Sequence, residues 1–136
     1  MRNGRNWIQI GAILGGLSVL AGAFGAHGLE KTLSAIQLQT FETAARYQMY
    51  HALAILAVGL LFAFARDRRS DLSLQVAAGC FLTGTLLFSG SLYAYLLGGP
   101  HWLVYVTPVG GLNFLFGWAA LALAGIRLSG DGRERV

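Results

Sequence analysis

The residues from Leu72 to Ile126 read LSLQVAAGCFLTGTLLFSGSLYAYLLGGPHWLVYVTPVGGLNFLFGWAALALAGI, a run of 55 without Asp, Glu, Lys or Arg. A helix needs about 20 apolar residues to cross the hydrocarbon core of a bilayer, so this run is too long for one crossing and suits two. We predict the break at 97–101, Leu-Gly-Gly-Pro-His, because glycine loosens the backbone and proline withholds an amide hydrogen.

Two shorter uncharged runs precede it, Asn6 to Leu29 and Tyr47 to Ala65, and each is long enough for one crossing. In hydrocarbon every backbone amide must find a partner within its own segment, which favours helices. We therefore predict an all-α integral membrane fold, a single membrane domain over residues 1–136 with four transmembrane helices in an antiparallel bundle. The predicted membrane helices are 7–26, 48–65, 73–97 and 104–126.

The composition also indicates a membrane protein. Only 12% of the 136 residues are charged and the mean hydropathy is +0.57, whereas about a quarter of a typical soluble domain is charged. These values exclude a disordered chain, a collagen-like repeat and a nucleic-acid-binding arm. The net charge of +4 requires no nucleic acid partner, because the membrane topology accounts for most of the basic residues.

The basic residues are unevenly placed, and their distribution predicts the orientation. Two of the ten, Lys31 and Arg46, lie in the first connection, and the third connection has none. Since cationic segments stay in the cytoplasm, we predict a multi-pass protein with both termini cytoplasmic and the loop 27–47 outside. A secretory signal ending at the Ala-Gly-Ala of 21–23 is the alternative, but the apolar run is longer than a typical signal core. The eight other basic residues are Arg2, Arg5, Arg66, Arg68, Arg69, Arg127, Arg133 and Arg135.

The first connection carries a helix-start signal. Ser34 and Gln37 have the spacing of a capping box, which predicts a helix over 35–65. Such a helix extends about 46 Å at 1.5 Å per residue, beyond a hydrocarbon core of about 30 Å. Its outer part should form a short amphipathic segment between the first two membrane spans, because Leu29, Leu33 and Ile36 give it an apolar face.

Small residues recur every three or four positions in three of the four spans. Helices in a bilayer associate through close backbone approach, so these stripes should face other helices. The second span has only Gly59. One stripe is then left for a second copy of the chain, or all stripes are used within one bundle, and both alternatives stay open. The predicted helix-packing glycines are Gly11, Gly15, Gly22, Gly84, Gly90, Gly110, Gly111 and Gly117.

Three histidines, His27, His51 and His101, lie toward the outer face of the predicted topology. Converging imidazoles suggest a metal site or a proton sensor. No acidic or cysteine ligand accompanies them at a recognisable spacing, so we expect no metal and no cofactor. Tryptophans such as Trp7 and Trp118 are interpreted as part of an aromatic belt at the membrane boundaries, and Cys80 as a packing residue.

A polar stripe marks the outer part of the second helix. Glu42, Arg46 and Tyr50 are spaced by four, so they share one helical face. With His27, His51 and three polar residues of the third span, they form either an outward-facing polar pocket or a hydrogen-bonded brace between helices. We favour the brace, because an unpaired polar group near hydrocarbon is costly. The residues of the third span are Ser89, Ser91 and Tyr93.

Several motifs resemble domain-of-unknown-function family 423. They are Gly-Ala-His-Gly-Leu at 25–29, Phe-Glu-Thr-Ala-Ala-Arg-Tyr-Gln-Met-Tyr-His-Ala-Leu at 41–53, Phe-Ser-Gly-Ser-Leu-Tyr at 88–93, Pro-Val-Gly-Gly at 108–111 and Gly-Trp at 117–118. The resemblance implies a small protein with four membrane helices, located in the bacterial inner membrane, and it supplies no activity. It draws attention to Arg46, His51, Ser89 and Tyr93.

Two classes of function fit these observations. The first is a non-enzymatic oligomeric membrane component, or a subunit that binds lipid or another membrane protein. The alternative is a transporter or channel for a small solute or ion, with an outward-facing polar pocket. No nucleophile, zinc-protease or phosphate-loop motif occurs in the sequence, so we do not expect an enzyme. The expected partners are the lipid bilayer, with a second copy or another membrane protein left open, and no nucleic acid.

Overall fold

The computed structural model describes residues 2–65 and 68–130, and these form four α-helices without strands. The helices are α1 (Arg2–Gly28), α2 (Ala35–Leu61), α3 (Arg68–Leu96) and α4 (Leu103–Gly130). The all-helical prediction is confirmed. Three of the arginines counted for the orientation, Arg66, Arg133 and Arg135, lie outside the described residues.

Three stretches in the described part of the chain are long and apolar enough to cross a membrane: Gly4–Gly28, Asp71–Leu96 and Leu103–Leu128. They lie in α1, α3 and α4. The remaining helix, α2, is not among these candidate spans, and its middle carries Arg46, Gln48 and His51. Its length of 27 residues would suffice for a crossing.

The connection between α1 and α2 has the predicted capping box. The amide of Gln37 donates to Ser34 Oγ at 3.3 Å, and the amide of Ser34 donates to Gln37 Oε1 at 2.9 Å. These two bonds satisfy backbone groups that a helix start would otherwise leave unpaired. They set the beginning of α2 at Ala35, as predicted.

The end of α2 comes at Leu61, four residues earlier than predicted. The next amides, those of Ala63 and Phe64, donate to carbonyls three residues back, at 3.1 and 2.9 Å. The chain therefore tightens into a turn instead of continuing as an α-helix.

The break between α3 and α4 lies in the Gly-Gly-Pro segment, as predicted. Gly98 has φ of 102°, a left-handed conformation that other residues adopt only with strain. The amide of Gly99 then donates to the carbonyl of Ala94 at 2.8 Å and closes the end of α3.

Each helix packs against the one that precedes it: α1 on α2, α2 on α3 and α3 on α4. Glycine allows the closest approaches. A Cβ on Gly11 would lie 2.8 Å from the carbonyl oxygen of Ala52, and one on Gly110 would overlap the backbone of Phe88. These contacts are shorter than real Cβ atoms make, so the helices could not meet as closely with any larger residue.

The eight predicted packing glycines behave in different ways. Like Gly11 and Gly110, Gly84 and Gly117 contact a neighbouring helix closely, in these two cases through phenylalanine rings, whereas Gly15 has ordinary contacts. A Cβ on the three remaining glycines would meet no atom within 4 Å, so their faces are open. These are Gly22, Gly90 and Gly111. A close pair between α1 and α2 that was not predicted consists of Gly4 and Gly59.

The main core lies between α2, α3 and α4. Its largest fully buried members are Phe81, Ile55, Leu74 and Val58. By contrast, many large apolar side chains are exposed, including Leu20 at 66% and Leu115 at 67%. A fold that buries small residues between its helices and exposes large apolar ones is suited to a hydrocarbon environment.

Candidate functional site

Four buried or half-buried polar side chains connect α2 to α1 and α3 by hydrogen bonds. We call these four residues the polar brace: Ser18, Gln48, Ser89 and Tyr93. Gln48 occupies its centre. Its Nε2 donates to the carbonyl of Leu14 in α1 at 2.9 Å, and its Oε1 accepts from Tyr93 Oη of α3 at 3.0 Å. Because a carbonyl can only accept, the amide nitrogen of Gln48 must face α1. One side chain therefore joins three helices.

Two serines complete the polar brace from opposite sides of α2. Ser18 of α1 donates to the carbonyl of Ala45 at 2.7 Å, and Ser89 of α3 donates to that of Ala44 at 2.8 Å. Each carbonyl oxygen has a second lone pair, so it can accept these bonds in addition to its helical one. The buried polar side-chain atoms of the described residues all have partners.

A large groove lies on the face of α2 that is turned toward α4. Phe88 of α3 also contributes to its wall. It has a volume of about 960 Å³, and we call it the aromatic groove. It is open along one side, because Leu112 and Leu115 at its edge are more than half exposed. Its lining residues are Tyr47, Tyr50, His51, Leu53, Phe88, Pro108, Gly111, Leu112, Phe114, Leu115 and Trp118.

His51 is buried at the base of the aromatic groove and is stacked on Phe114, with ring centroids 3.5 Å apart and planes within 5°. Its Nδ1 lies 2.7 Å from the carbonyl oxygen of Tyr47, and Trp118 Nε1 donates to its Nε2 at 3.3 Å. A carbonyl can only accept and an indole N–H can only donate, so Nδ1 carries the hydrogen and Nε2 is the acceptor. These two bonds hold His51 as a neutral imidazole with both nitrogens occupied.

Other rings stiffen the walls of the groove. Tyr47 stacks on Phe88 with centroids 4.8 Å apart, and Trp118 meets Phe81 edge to face at 5.0 Å. Such offset and edge-to-face pairs are favourable beyond the area that they bury. The aromatic groove is thus a preformed, mainly apolar surface in which the ring nitrogens of His51 and Trp118 are already paired.

The structure does not bring the predicted polar residues into one pocket. His51, Ser89 and Ser91 are buried, and Tyr93 is half-buried. Ser91 Oγ bonds Thr107 Oγ1 of α4 at 2.7 Å, apart from the polar brace. The other predicted residues are exposed: Glu42, Arg46 and Tyr50 on the outer face of α2, and His27 in the last turn of α1.

Two residues have central positions that sequence reasoning did not predict. Gln48 carried a signal, since an amide in an apolar run needs internal partners. Trp118 was interpreted as a boundary residue, and that interpretation is wrong. It lies near the middle of α4, where its indole bonds His51. Within the described part of the chain, no group of three His, Cys, Asp or Glu is arranged to hold a metal ion.

Comparisons with known proteins agree with the motifs. The family described as "Protein of unknown function (DUF423)" matches residues 21–111. The UPF0382 inner membrane protein YgdD of Escherichia coli is 42% identical, over 89% of each chain. A UPF0382 membrane protein of Haemophilus influenzae is 40% identical, over 85% of this chain and 90% of the relative. A UPF0382 membrane protein of Staphylococcus epidermidis is 37% identical, over 91% of this chain and 98% of the relative.

No solved structure matches the chain. The family match covers more than half of the sequence, and the relatives align with nearly its whole length. The resemblance inferred from the motifs is confirmed: the chain belongs to the DUF423 family of membrane proteins, whose function is not established.

Proposed function

We propose that this protein is a non-enzymatic inner-membrane protein that binds the acyl chain of a lipid in its aromatic groove. The observation that carries the proposal is the groove itself, a preformed space of about 960 Å³ with apolar walls. This volume is at the upper end of the usual range for ligand sites, which is roughly 300–1,000 Å³. Its open side is bordered by exposed leucines, the kind of surface that faces lipid.

The chemistry of the walls favours a hydrocarbon ligand over a polar solute. His51 and Trp118 bond to each other, and Nδ1 of His51 bonds to the backbone. None of the lining residues carries a formal charge. A polar solute would lose most of its water and could gain only the hydroxyls of Tyr47 and Tyr50 as new partners, which is unfavourable, whereas an acyl chain gains contacts with the rings.

The hydroxyls of Ser89 and Ser91 and the imidazole of His51 also fit a binding protein better than an enzyme. Covalent catalysis needs a nucleophile within reach of a base that activates it. Ser89 donates to the carbonyl of Ala44, and Ser91 bonds Thr107. Both nitrogens of His51 are occupied as well. These groups are engaged in holding the fold, so we assign them no catalytic step.

For the membrane arrangement, we propose that α2 is a fourth crossing and that the four helices run antiparallel. Three points support a crossing by α2. It packs between α1 and α3, which are both candidate spans. Its 27 residues extend about 40 Å at 1.5 Å per residue. Its buried polar groups, Gln48 and His51, are paired within the protein, which removes most of their cost in hydrocarbon.

With four crossings both termini lie on one side of the membrane. The distribution of basic residues then favours the cytoplasm for the termini and the exterior for Glu42 and Arg46. In this orientation the polar brace and the aromatic groove lie in the outer half of the bilayer. Cysteine accessibility tests the topology: a cysteine at Ser34 should react with an impermeant thiol reagent from outside, and one at Ser70 should not.

Tryptophan fluorescence tests the proposed binding. In a variant with Trp7→Phe and Trp102→Phe, emission comes from Trp118 alone, because the chain has three tryptophans. We expect phospholipid brominated on its acyl chains to quench this emission in detergent, with saturation near one lipid per protein. Quenching that rises linearly with lipid content, without saturation, would contradict a defined site.

Two matched glycine variants locate the quenching lipid. Gly111 lines the aromatic groove and a Cβ there would meet no atom within 4 Å, so we expect the ring of Gly111→Phe to occupy the open groove. Gly16 is equally unobstructed but lies on α1, away from the groove. Gly111→Phe should abolish the saturable quenching and Gly16→Phe should leave it intact. Equal quenching in both variants would overturn the proposal.

A further inference from the structure

We propose that the lipid in the aromatic groove is a phospholipid with a primary amine in its headgroup, its phosphate bound by Arg46 and its ammonium by Glu42. This inference rests on the proposed function, and adds to it the chemical class of the headgroup. It starts from three exposed residues on one face of α2: Glu42, Arg46 and Tyr50.

The spacing of these residues follows the order of groups in a phospholipid. Tyr50 lines the aromatic groove, and Arg46 and Glu42 follow it toward the outer end of the helix. Each step of four residues is about 6 Å at 1.5 Å per residue. A phospholipid whose chain lies in the groove would bring its phosphate to the level of Arg46 and its terminal amine to the level of Glu42.

Arg46 has the chemistry and the depth for a phosphate. A guanidinium presents several N–H donors in a plane and bonds phosphate oxygens in pairs. Arg46 immediately precedes the uncharged run from Tyr47 to Ala65, which is where the hydrocarbon core would begin. Its side chain is exposed, and among the described residues it has no ion pair or side-chain hydrogen bond. Its donors are therefore available at the level of the lipid phosphates.

Glu42 determines which headgroup is preferred. A cation alone would attract any anionic lipid, but a carboxylate one turn farther out repels a headgroup that carries only negative charge. A primary ammonium gives this carboxylate an N–H donor of opposite charge. A quaternary ammonium has the charge but no N–H. The pair therefore selects ethanolamine over both glycerol and choline headgroups.

Native mass spectrometry of the full-length protein in detergent tests the predicted preference for an ethanolamine headgroup. Phosphatidylethanolamine, phosphatidylglycerol and phosphatidylcholine with identical acyl chains are titrated separately, and the fraction of protein carrying one lipid is measured. We expect phosphatidylethanolamine to bind about tenfold more tightly than the other two, the ratio that one charge-assisted hydrogen bond provides.

Charge variants separate the two contacts. Glu42→Gln should remove the preference for phosphatidylethanolamine while phosphatidylglycerol binds as well as before or better. Arg46→Gln should weaken all three lipids about tenfold, since it removes the phosphate contact, and Arg46→Lys should restore part of the loss. The matched controls are Glu30→Gln and Lys31→Gln, in exposed positions of the connection between α1 and α2, which should change nothing.

The same measurement on Gly111→Phe distinguishes the two proposals. If this variant loses the lipid but the three headgroups bind wild-type protein equally, the headgroup inference is overturned and the groove proposal stands. If Gly111→Phe binds phosphatidylethanolamine as tightly as Gly16→Phe does, the proposed groove function itself fails. Loss in Gly111→Phe together with loss of preference in Glu42→Gln supports both.

Discussion

The two sides of α2 use their polar groups in opposite ways. Toward α1 and α3, Gln48 and the serines of the polar brace bond directly to neighbouring helices, and only a smaller space of about 270 Å³ remains beside Gln48. Toward α4, His51 and Trp118 satisfy each other and leave the aromatic groove open. The difference shows that one stretch of two helical turns can both fix the fold and leave an open groove, because its faces point to different neighbours.

Because the two sides of α2 differ, we expect the stability of the protein and its lipid binding to depend on different residues. Interhelical hydrogen bonds in a membrane are each worth about 0.6 to 2 kcal/mol, so the polar brace should be a sizeable part of the free energy of unfolding. The groove residues at the open edge bury little against the protein, and changes there should affect ligand binding more than stability.

The largest effect is expected at Gly110, where the backbones of α4 and α3 lie close together. Gly110→Ala should lower the free energy of unfolding by about 3 kcal/mol, because the added methyl group overlaps the backbone of Phe88. Gly22→Ala is the matched control, since a methyl group there meets no atom within 4 Å. Thermal unfolding in detergent measures both. Equal effects of the two variants would contradict the packing described for α3 and α4.

Gln48→Leu should cost about 2 kcal/mol, because it removes two interhelical bonds and leaves Tyr93 without its acceptor. Saturable quenching of Trp118 by brominated lipid should persist below the melting temperature, since Gln48 does not line the aromatic groove. Loss of lipid binding in a folded Gln48→Leu protein would show that the two sides of α2 are not independent.

Trp118→Phe should lower stability by about 1 kcal/mol. It keeps a ring against Phe81 but removes the indole donor to His51. Denaturation in detergent gives the stability. The comparison variant Trp102→Phe changes an exposed tryptophan outside the groove. If Trp102→Phe is the more damaging of the two, the hydrogen bond to His51 is not a significant contact.

The smallest effect is expected for Arg46→Ala. Its side chain is exposed, and surface substitutions usually change stability by less than about 0.5 kcal/mol. The sequence-based interpretation as a brace member predicts a clear loss instead, so the melting temperature decides between them. A drop as large as that of Gln48→Leu would place Arg46 in the brace after all.

The sequence predicted best those features of the fold that depend on residues within a single segment. Uncharged runs, the capping box at Ser34 and the glycines before Pro100 act within one segment, and they predicted helices and breaks well. Ser89 and Tyr93 belong to the polar residues singled out from the sequence, and each bonds to α2. The partners themselves could not be predicted, because they depend on the register between helices.

The rest of the site depends on how each helix is rotated about its own axis. That rotation places Trp118 against His51 instead of at a membrane boundary, and it leaves Arg46 and Glu42 outside the cluster that holds Ser89. Spacing within a helix shows which residues share a face, but it does not show which neighbour that face meets. The open faces of Gly22, Gly90 and Gly111 are a consequence of the same rotations.

A crystal structure of the protein grown from a lipidic mesophase containing phosphatidylethanolamine would show whether the aromatic groove holds a phospholipid. We expect elongated density along Tyr47, Leu112 and Leu115, with a headgroup between Arg46 and Glu42. A groove closed by its own side chains, or filled by a helix of a second copy, would contradict it.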